Sequence, residues 1–250
     1  MVQKEGNKQQ RPLSEKVIFI AGAASGLGAA LCGVLAGYGA HIVVADIGQA
    51  GAAQLAAQLR ETGARAYPIA FDVGSPAGAE RAMNDAIAHF GRLDVLINKA
   101  GTDKTLPIDE LTPAQWLRVI DTNFNGPFLP ARQAARQMRS QGGGHIINMA
   151  STAAKRAWPN ASACHASKWG LLGVSHALHA ELRPHHIKVT AVIAGGMRTP
   201  FLLDRFPDID SVTLQEPDNV AHVIAGLLQM PAESVVAEVT VQPMRESSWP

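Results

Sequence analysis

Cys164 and Lys168 lie four residues apart in the segment Ser162-Ala163-Cys164-His165-Ala166-Ser167-Lys168. On a helix that spacing puts a thiol and an ammonium on one face, a turn apart. A neighbouring ammonium favours the thiolate, and a thiolate is both a nucleophile and a possible base. A second group of residues reads as an anion cradle. Ala21-Gly22-Ala23-Ala24-Ser25-Gly26-Leu27-Gly28 follows a short apolar run and opens an Ala- and Leu-rich stretch. Glycines permit a tight turn and the close approach of a pyrophosphate, and a helix start offers free N–H groups and the positive end of a dipole. Asp46 stands 18 residues beyond Gly28, at the end of the next apolar run. A carboxylate there accepts from a ribose 2′-hydroxyl and repels a 2′-phosphate. No Arg or Lys occurs within residues 17–59 to neutralise such a phosphate. The expected cofactor is therefore NAD(H) in preference to NADP(H). The plain alternative for Asp46 is a solvated acid at a strand end.

These residues need a scaffold, and the apolar patterning supplies one. Short apolar runs at 16–21, 41–46, 66–72, 93–98, 144–149, 187–193 and 235–242 read as strands. Helical patterning falls at 26–38, 49–62, 76–90, 112–140, 161–182 and 218–229. Strands alternating with helices require a parallel sheet covered on both faces. The expected fold class is α/β: a single-domain Rossmann fold with a doubly wound, seven-stranded parallel sheet and helices on both faces. The domain is expected at 16–250, after a flexible polar arm at 1–15.

Composition bounds the function. A chain of 250 residues fits one domain, and 47% hydrophobic residues suffice for a large core. A net charge of +1 gives no reason to expect nucleic acid or an anionic membrane as partner. Two cysteines, Cys32 and Cys164, form neither a disulfide framework nor a metal pattern. No metal site is expected, and a reducing compartment is favoured. Residues 1–15 lack the apolar core of a signal peptide. No apolar run approaches the ~18 residues that span a bilayer. The expectation is a cytoplasmic protein with a small-molecule substrate.

The chain resembles the classical short-chain dehydrogenase/reductase family. The glycine turn is similar to that family's Thr-Gly-x-x-x-Gly-x-Gly, with Ala21 for threonine. Phe71-Asp72-Val73 is similar to its Asp-Val pair at the adenine, and Asn98-Lys99-Ala100-Gly101 to Asn-Asn-Ala-Gly. Asn123 matches a helix asparagine that anchors a relay water. Ser151 lies 13 residues before Cys164, the family's spacing between serine and tyrosine. Lys168 matches the lysine of Tyr-x-x-x-Lys. Ala194-Gly195-Gly196-Met197-Arg198-Thr199 is similar to Pro-Gly-x-x-x-Thr, whose threonine contacts the nicotinamide carboxamide. The resemblance implies an NAD-linked oxidoreductase for an alcohol, carbonyl, imine or enone. Its catalytic row would be Ser151, Cys164, Lys168 and Asn123. Its cofactor would lie against Gly22, Ser25, Gly26, Leu27, Gly28, Asp46, Asp72, Val73, Asn98, Ala100, Gly101, Lys168, Gly195 and Thr199. It also implies a homodimer or homotetramer assembled through the helices near 112–140 and 161–182.

Departures from the family pattern cluster on the nicotinamide side. Cys164 stands for tyrosine, Lys99 for asparagine and Ala194 for proline. Neither of the two tyrosines, Tyr38 and Tyr67, is expected near the site. Cys164 therefore carries open readings. It is the acid or base of an altered relay, or a filler in an impaired NAD-binding homologue. It could also be an introduced substitution, or the nucleophile of a non-redox enzyme. Lys99 either places a charge near the cofactor phosphates or the substrate, or is solvated. His165 is rotated ~100° from Cys164 and is expected to pack away from the substrate. Lys155, Arg156 and Arg198 read as surface charge or as a receptor for an acidic substrate. Trp158 and Trp169 read as core or interface residues, and Cys32 as a small buried hydrophobe. The segment 201–217, where a substrate lid would lie, is short.

Overall fold

A computed structural model of the chain describes residues 12–246. Seven parallel strands form one sheet in the order β3-β2-β1-β4-β5-β6-β7. They are β1 (Val17–Ala21), β2 (His41–Asp46), β3 (Ala66–Ala70), β4 (Val95–Asn98), β5 (Gly144–Ser151), β6 (Ile187–Ala194) and β7 (Glu238–Val241). The helices are α1 (Gly26–Gly37), α2 (Gln49–Glu61), α3 (Pro76–Phe90), α4 (Pro113–Ile120), α5 (Gly126–Ser140), α6 (Ser162–Leu182), α7 (Pro200–Leu203) and α8 (Pro217–Leu228). The expected doubly wound α/β fold is the observed one. Most of the expected arm, residues 1–11, lies outside the described residues. Leu13 is buried, and its N–H donates to the Tyr38 carbonyl, so the packed unit extends a few residues ahead of 16.

The strands read as continuous apolar runs because both faces are covered. Alternation divides them between two layers. In β1, Ile18 and Ile20 pack with side chains of α1, α2 and α8. Val17, Phe19 and Ala21 pack in the opposite layer, with side chains of α3 and α5. Local signals set several helix starts. Ser75 Oγ accepts from Gly78 N at the start of α3, where Pro76 follows it. Thr112 and Gln115 form a reciprocal capping box at the start of α4.

The helix expected over 112–140 is interrupted. A π-helical turn, Asp121–Asn125, separates α4 from α5. Pro127 has no N–H for the Asn123 carbonyl, and Pro130 has none for that of Gly126, so regular i→i−4 bonding cannot continue. The strand expected to reach Asp72 ends at Ala70, which leaves Asp72 to accept from Gly74 N in a turn at 2.9 Å.

One buried group makes the fold acid-sensitive. His145 on β5 contacts Thr190 Oγ1 through Nε2 at 2.8 Å, and that hydroxyl donates to the Val236 carbonyl at 2.7 Å. The threonine proton is thus committed, and His145 must donate from Nε2. Burial, with Lys188 nearby, pushes its pKa down to about 3. The unfolded chain takes up this proton near pH 6.5 and the folded one does not. The contribution is therefore complete above pH ~6.5 and is lost as pH falls towards the folded pKa. Between pH 7 and 5 it removes about 2 kcal/mol of stability. Urea unfolding at the two pH values should show His145→Gln losing about that much less than the parent chain. An identical loss in both would disprove the assignment.

Candidate active site

All seven strands run the same way, so their C-terminal ends share one edge. The chain runs outward from β1 through β2 to β3, then crosses back through α3 to place β4 on the other side of β1, and a crevice opens at that switch. Ala21 pairs with Asn98, Asn98 with Asn148, and Ser151 with Ala194. The register therefore brings the glycine turn, the 98–101 segment, Ser151 and the 195–199 segment to one rim. A cavity of about 770 Å³ lies there. It is lined by ten of the residues expected from the sequence: Ser25, Gly26, Leu27, Gly101, Asn123, Ser151, Cys164, Lys168, Gly195 and Thr199.

The glycine turn is held by backbone bonds. Gly22 N and Ala23 N donate to the Ala45 carbonyl at 2.8 and 3.1 Å. Gly22 has φ +81°, and a Cβ there would lie 2.7 Å from Ala100 Cα. Asp46 does not hang free in solvent. Its carboxylate accepts from Ala24 N at 3.0 Å and from Gly48 N at 2.9 Å, which ties the end of β2 to the glycine turn. Thr199 is buried and packs on Gly26, closing the turn from the β6 side.

On the opposite wall, Cys164 and Lys168 project from α6 as the helical spacing requires. Lys168 Nζ donates to the Met149 carbonyl at 2.8 Å. Burial holds its pKa below the ordinary lysine value. Cys164 is a free thiol. Burial raises its pKa to about 11, with Asp103 adding to the rise and Lys168 and Arg205 opposing it only in part. Lys168 does favour the thiolate, as the spacing predicts, but desolvation outweighs the ammonium and leaves the thiol the favoured form. Ser151 Oγ, at the end of β5, accepts from Ala153 N at 3.2 Å and keeps its own proton to give.

Asn123 sits in the π turn with its side chain fully used. Its Nδ2 donates to the Thr102 carbonyl at 2.8 Å and to Ser167 Oγ at 3.2 Å, and its Oδ1 accepts from Thr102 N at 2.8 Å. Its carbonyl, deprived of an i+4 donor by Pro127, has capacity to accept from another group. Proline four residues after the asparagine was the sequence signal for this, and the helical patterning concealed it.

Several expected site residues lie elsewhere. Asn98 is buried between strands, donating to the Asn148 side chain at 2.8 Å and the Pro127 carbonyl at 3.1 Å. Asp72 and Val73 follow β3 outside the cavity lining, with Val73 packed against Gly126. Gly22, Gly28, Asp46 and Ala100 support the rim without lining the cavity. His165 packs as expected: its ring contacts the Ala153 carbonyl at 2.9 Å and accepts from Trp158 N at 3.1 Å. Lys155 and Arg198 pair with Glu238 and Glu216 at 2.8 and 2.6 Å. Arg156 alone of the three lines the cavity, paired there with Glu246 of the tail at 2.6 Å. Trp158 lines the cavity mouth, and Trp169 is exposed on α6, so neither is a core residue. Cys32 is fully buried, and burial lifts its thiol to about 12. The 200–214 segment covers the cavity with Phe201, Leu202, Phe206, Ile209 and Leu214.

The family model for short chain dehydrogenases matches residues 16–210. The chain belongs to that family. It is an oxidoreductase of the alcohol–carbonyl type. This short-chain dehydrogenase is 38% identical over 180 residues to a D-threitol dehydrogenase of Mycolicibacterium smegmatis, covering 72% of this chain and 69% of that protein. It is 33% identical over 235 residues to a cis-4-hydroxycyclohexanecarboxylate dehydrogenase of Sinomonas cyclohexanicum, covering 90% and 94%. A 3-ketoacyl-(acyl-carrier-protein) reductase from Brucella melitensis, solved with NADH, superposes with a TM-score of 0.85 at 30% identity, over 93% of this chain and 99% of that one. Among the described residues no helix is long and apolar enough to cross a membrane, and no group of three or more His, Cys, Asp or Glu is placed to hold a metal ion.

Proposed function

We propose that this chain is an NAD(H)-dependent reductase of small carbonyl compounds, imines or enones, whose proton relay is altered by cysteine at position 164. The observation that carries the cofactor preference is the Asp46 carboxylate, fixed by two backbone N–H groups beside the glycine turn. A 2′-phosphate would meet that negative charge, whereas a 2′-hydroxyl can donate to it. The residues fit the cofactor: Ser25, Gly26 and Leu27, at the start of α1, line the cavity, and a Cβ on Gly28 would fall 2.1 Å from the Gly22 carbonyl oxygen, so glycine is what lets the helix pack this closely on the turn. Gly22, Ser25, Gly26, Leu27 and Gly28 would cradle the pyrophosphate. Asp72, Val73, Asn98 and Ala100 would shape the wall beside the adenosine half. Lys168, Gly101, Gly195 and Thr199 would hold the nicotinamide half. When bound, the nicotinamide supplies or takes up the hydride.

The protein's own task is the proton. Ser151 Oγ–H polarises the substrate oxygen. The Asn123 carbonyl and the Lys168 ammonium hold a water that restores the proton. A thiol with a pKa near 11 cannot serve as a base for alcohol oxidation at neutral pH, but it retains a proton for the reducing direction. The thiol also lacks the reach of a phenol, so proton delivery is slow. The same protonation speaks against a thiolate nucleophile and a non-redox reaction. Exposed apolar side chains on α4, α5 and α6 (Leu117, Phe128 and Trp169) support assembly into a homodimer or homotetramer through those helices.

Trp158 in the cavity wall provides the test, by quenching and energy transfer to reduced nicotinamide. NADH should bind at least tenfold more tightly than NADPH, since leaving a 2′-phosphate beside a carboxylate costs on the order of 1–3 kcal/mol. Equal affinities would refute the Asp46 reading. If neither nucleotide binds, the redox reading loses its cofactor.

A further inference from the structure

Lys99 has no part in the mechanism above, and its setting is not that of a surface lysine. It lines the cavity, and its Nζ donates to the Ser25 carbonyl at 3.3 Å. Ser25 is the N-cap of the 12-residue helix α1. The ammonium therefore stands at the positive end of a helix dipole. No ion pair among the described residues includes it. Burial lowers its pKa, and Asp46 and Cys32 oppose that only in part. A partly buried cation outside any ion pair, at the wrong end of a helix, is unfavourable on both counts. Folding alone gives no reason for a lysine here, whereas an anion placed between the ammonium and the helix start would make both charges favourable.

Position decides which anion. Lys99 lies between Asp46 and Lys168: its Nζ donates to the carbonyl of Ser25, whose neighbour Ala24 donates to the Asp46 carboxylate, and Gly101, two residues further along the chain, lies against Lys168 Nζ. On the cofactor reading above, Asp46 and Lys168 hold the two riboses of the dinucleotide. What joins the riboses is a pyrophosphate carrying two negative charges. Lys99, with its Nζ held on the Ser25 carbonyl, is not on the segments that carry Ser151, Cys164 and Trp158. We infer that Lys99 is a cofactor-binding residue that pairs with the pyrophosphate, an assignment that rests on the cofactor reading.

The test uses Lys99→Asn and Lys99→Arg in the full chain, titrated with NADH, ADP-ribose and adenosine. Lys99→Asn should weaken NADH and ADP-ribose alike, by about 10- to 100-fold, the loss of one charge-assisted hydrogen bond. Adenosine, which has no phosphate, should bind unchanged, and Lys99→Arg should retain most of the affinity. Without ligand, Lys99→Asn should melt about 1–3 °C higher, because a cation has left the helix N-terminus. Unchanged ADP-ribose affinity, an equal loss for adenosine, or a lower ligand-free melting temperature would each overturn the assignment while leaving the cofactor reading intact. A parent chain that binds neither NADH nor NADPH would overturn both.

Discussion

Cys164→Tyr should raise the rate of NADH-dependent carbonyl reduction by about 10²–10⁴-fold, the usual contribution of a positioned acid. Cys164 faces the cavity rather than the core, so a phenol ring would extend into the site and not into packed side chains. The groups that would support it are already in place. Lys168 stands one helical turn away, with its ammonium anchored on the Met149 carbonyl, and Ser151 lies across the cavity. The buried thiol, raised to about 11, is no stronger an acid than a phenol and stops well short of where a phenol oxygen would reach. Reach, more than acidity, is what the substitution restores. The gain should therefore fall on kcat, with NADH affinity unchanged, because the glycine turn and Asp46 are not touched. Steady-state reduction of a simple ketone by both proteins measures it. A rate that stays flat would mean that proton delivery does not limit this enzyme, and the altered-relay reading would fall.

Gly28→Ala should abolish most of the NADH affinity, by about 100-fold or more, and destabilise the chain by about 1–3 kcal/mol. Its Cβ would lie 2.1 Å from the Gly22 carbonyl oxygen and 2.8 Å from Ala23 Cα. Both are backbone atoms, and neither can yield. Gly22 N and Ala23 N are bonded to Ala45, Ala24 N is bonded to Asp46, and Ala100 blocks retreat of Gly22. Moving the turn would break the tie between β1 and β2 and withdraw the N–H groups offered to the cofactor. Gly33→Ala, on the same helix with open space around it, is the control and should be neutral or stabilising by about 0.5–1 kcal/mol. Urea unfolding and NADH titration of both variants decide the matter. A Gly28→Ala protein that binds NADH normally would show that the turn relaxes freely and does not cradle the pyrophosphate.

The distinction between these two sites bears on how much the chain's sequence could reveal. The turn at 22–28 was legible because its requirements are local: a strand, glycines at short spacing, then a helix. Asp46 was legible for the same reason, lying one strand and one helix further on. The net effect on the Cys164 thiol was not legible, because spacing on α6 reports only its neighbour, Lys168. Desolvation by the surrounding walls dominates the thiol, and further charges act on it from elsewhere in the chain, Asp103 raising its pKa and Arg205 lowering it.

By itself the sequence determined the parallel α/β sheet, the place of the glycine turn, the acid at the end of the second strand and the shared face of Cys164 and Lys168, since periodicities of two and 3.6 residues and turn chemistry act over a few neighbours. Only the tertiary structure decided that Asn98 is a strand tie rather than a cavity residue, that proline opens a π turn at Asn123, and that Arg156 meets Glu246 across 90 residues of chain. It also decided that Lys99 lines the cavity beside Ser25 and that burial outweighs the neighbouring ammonium at Cys164. Burial and through-space charge are sums over groups distant in sequence, and no local pattern contains them.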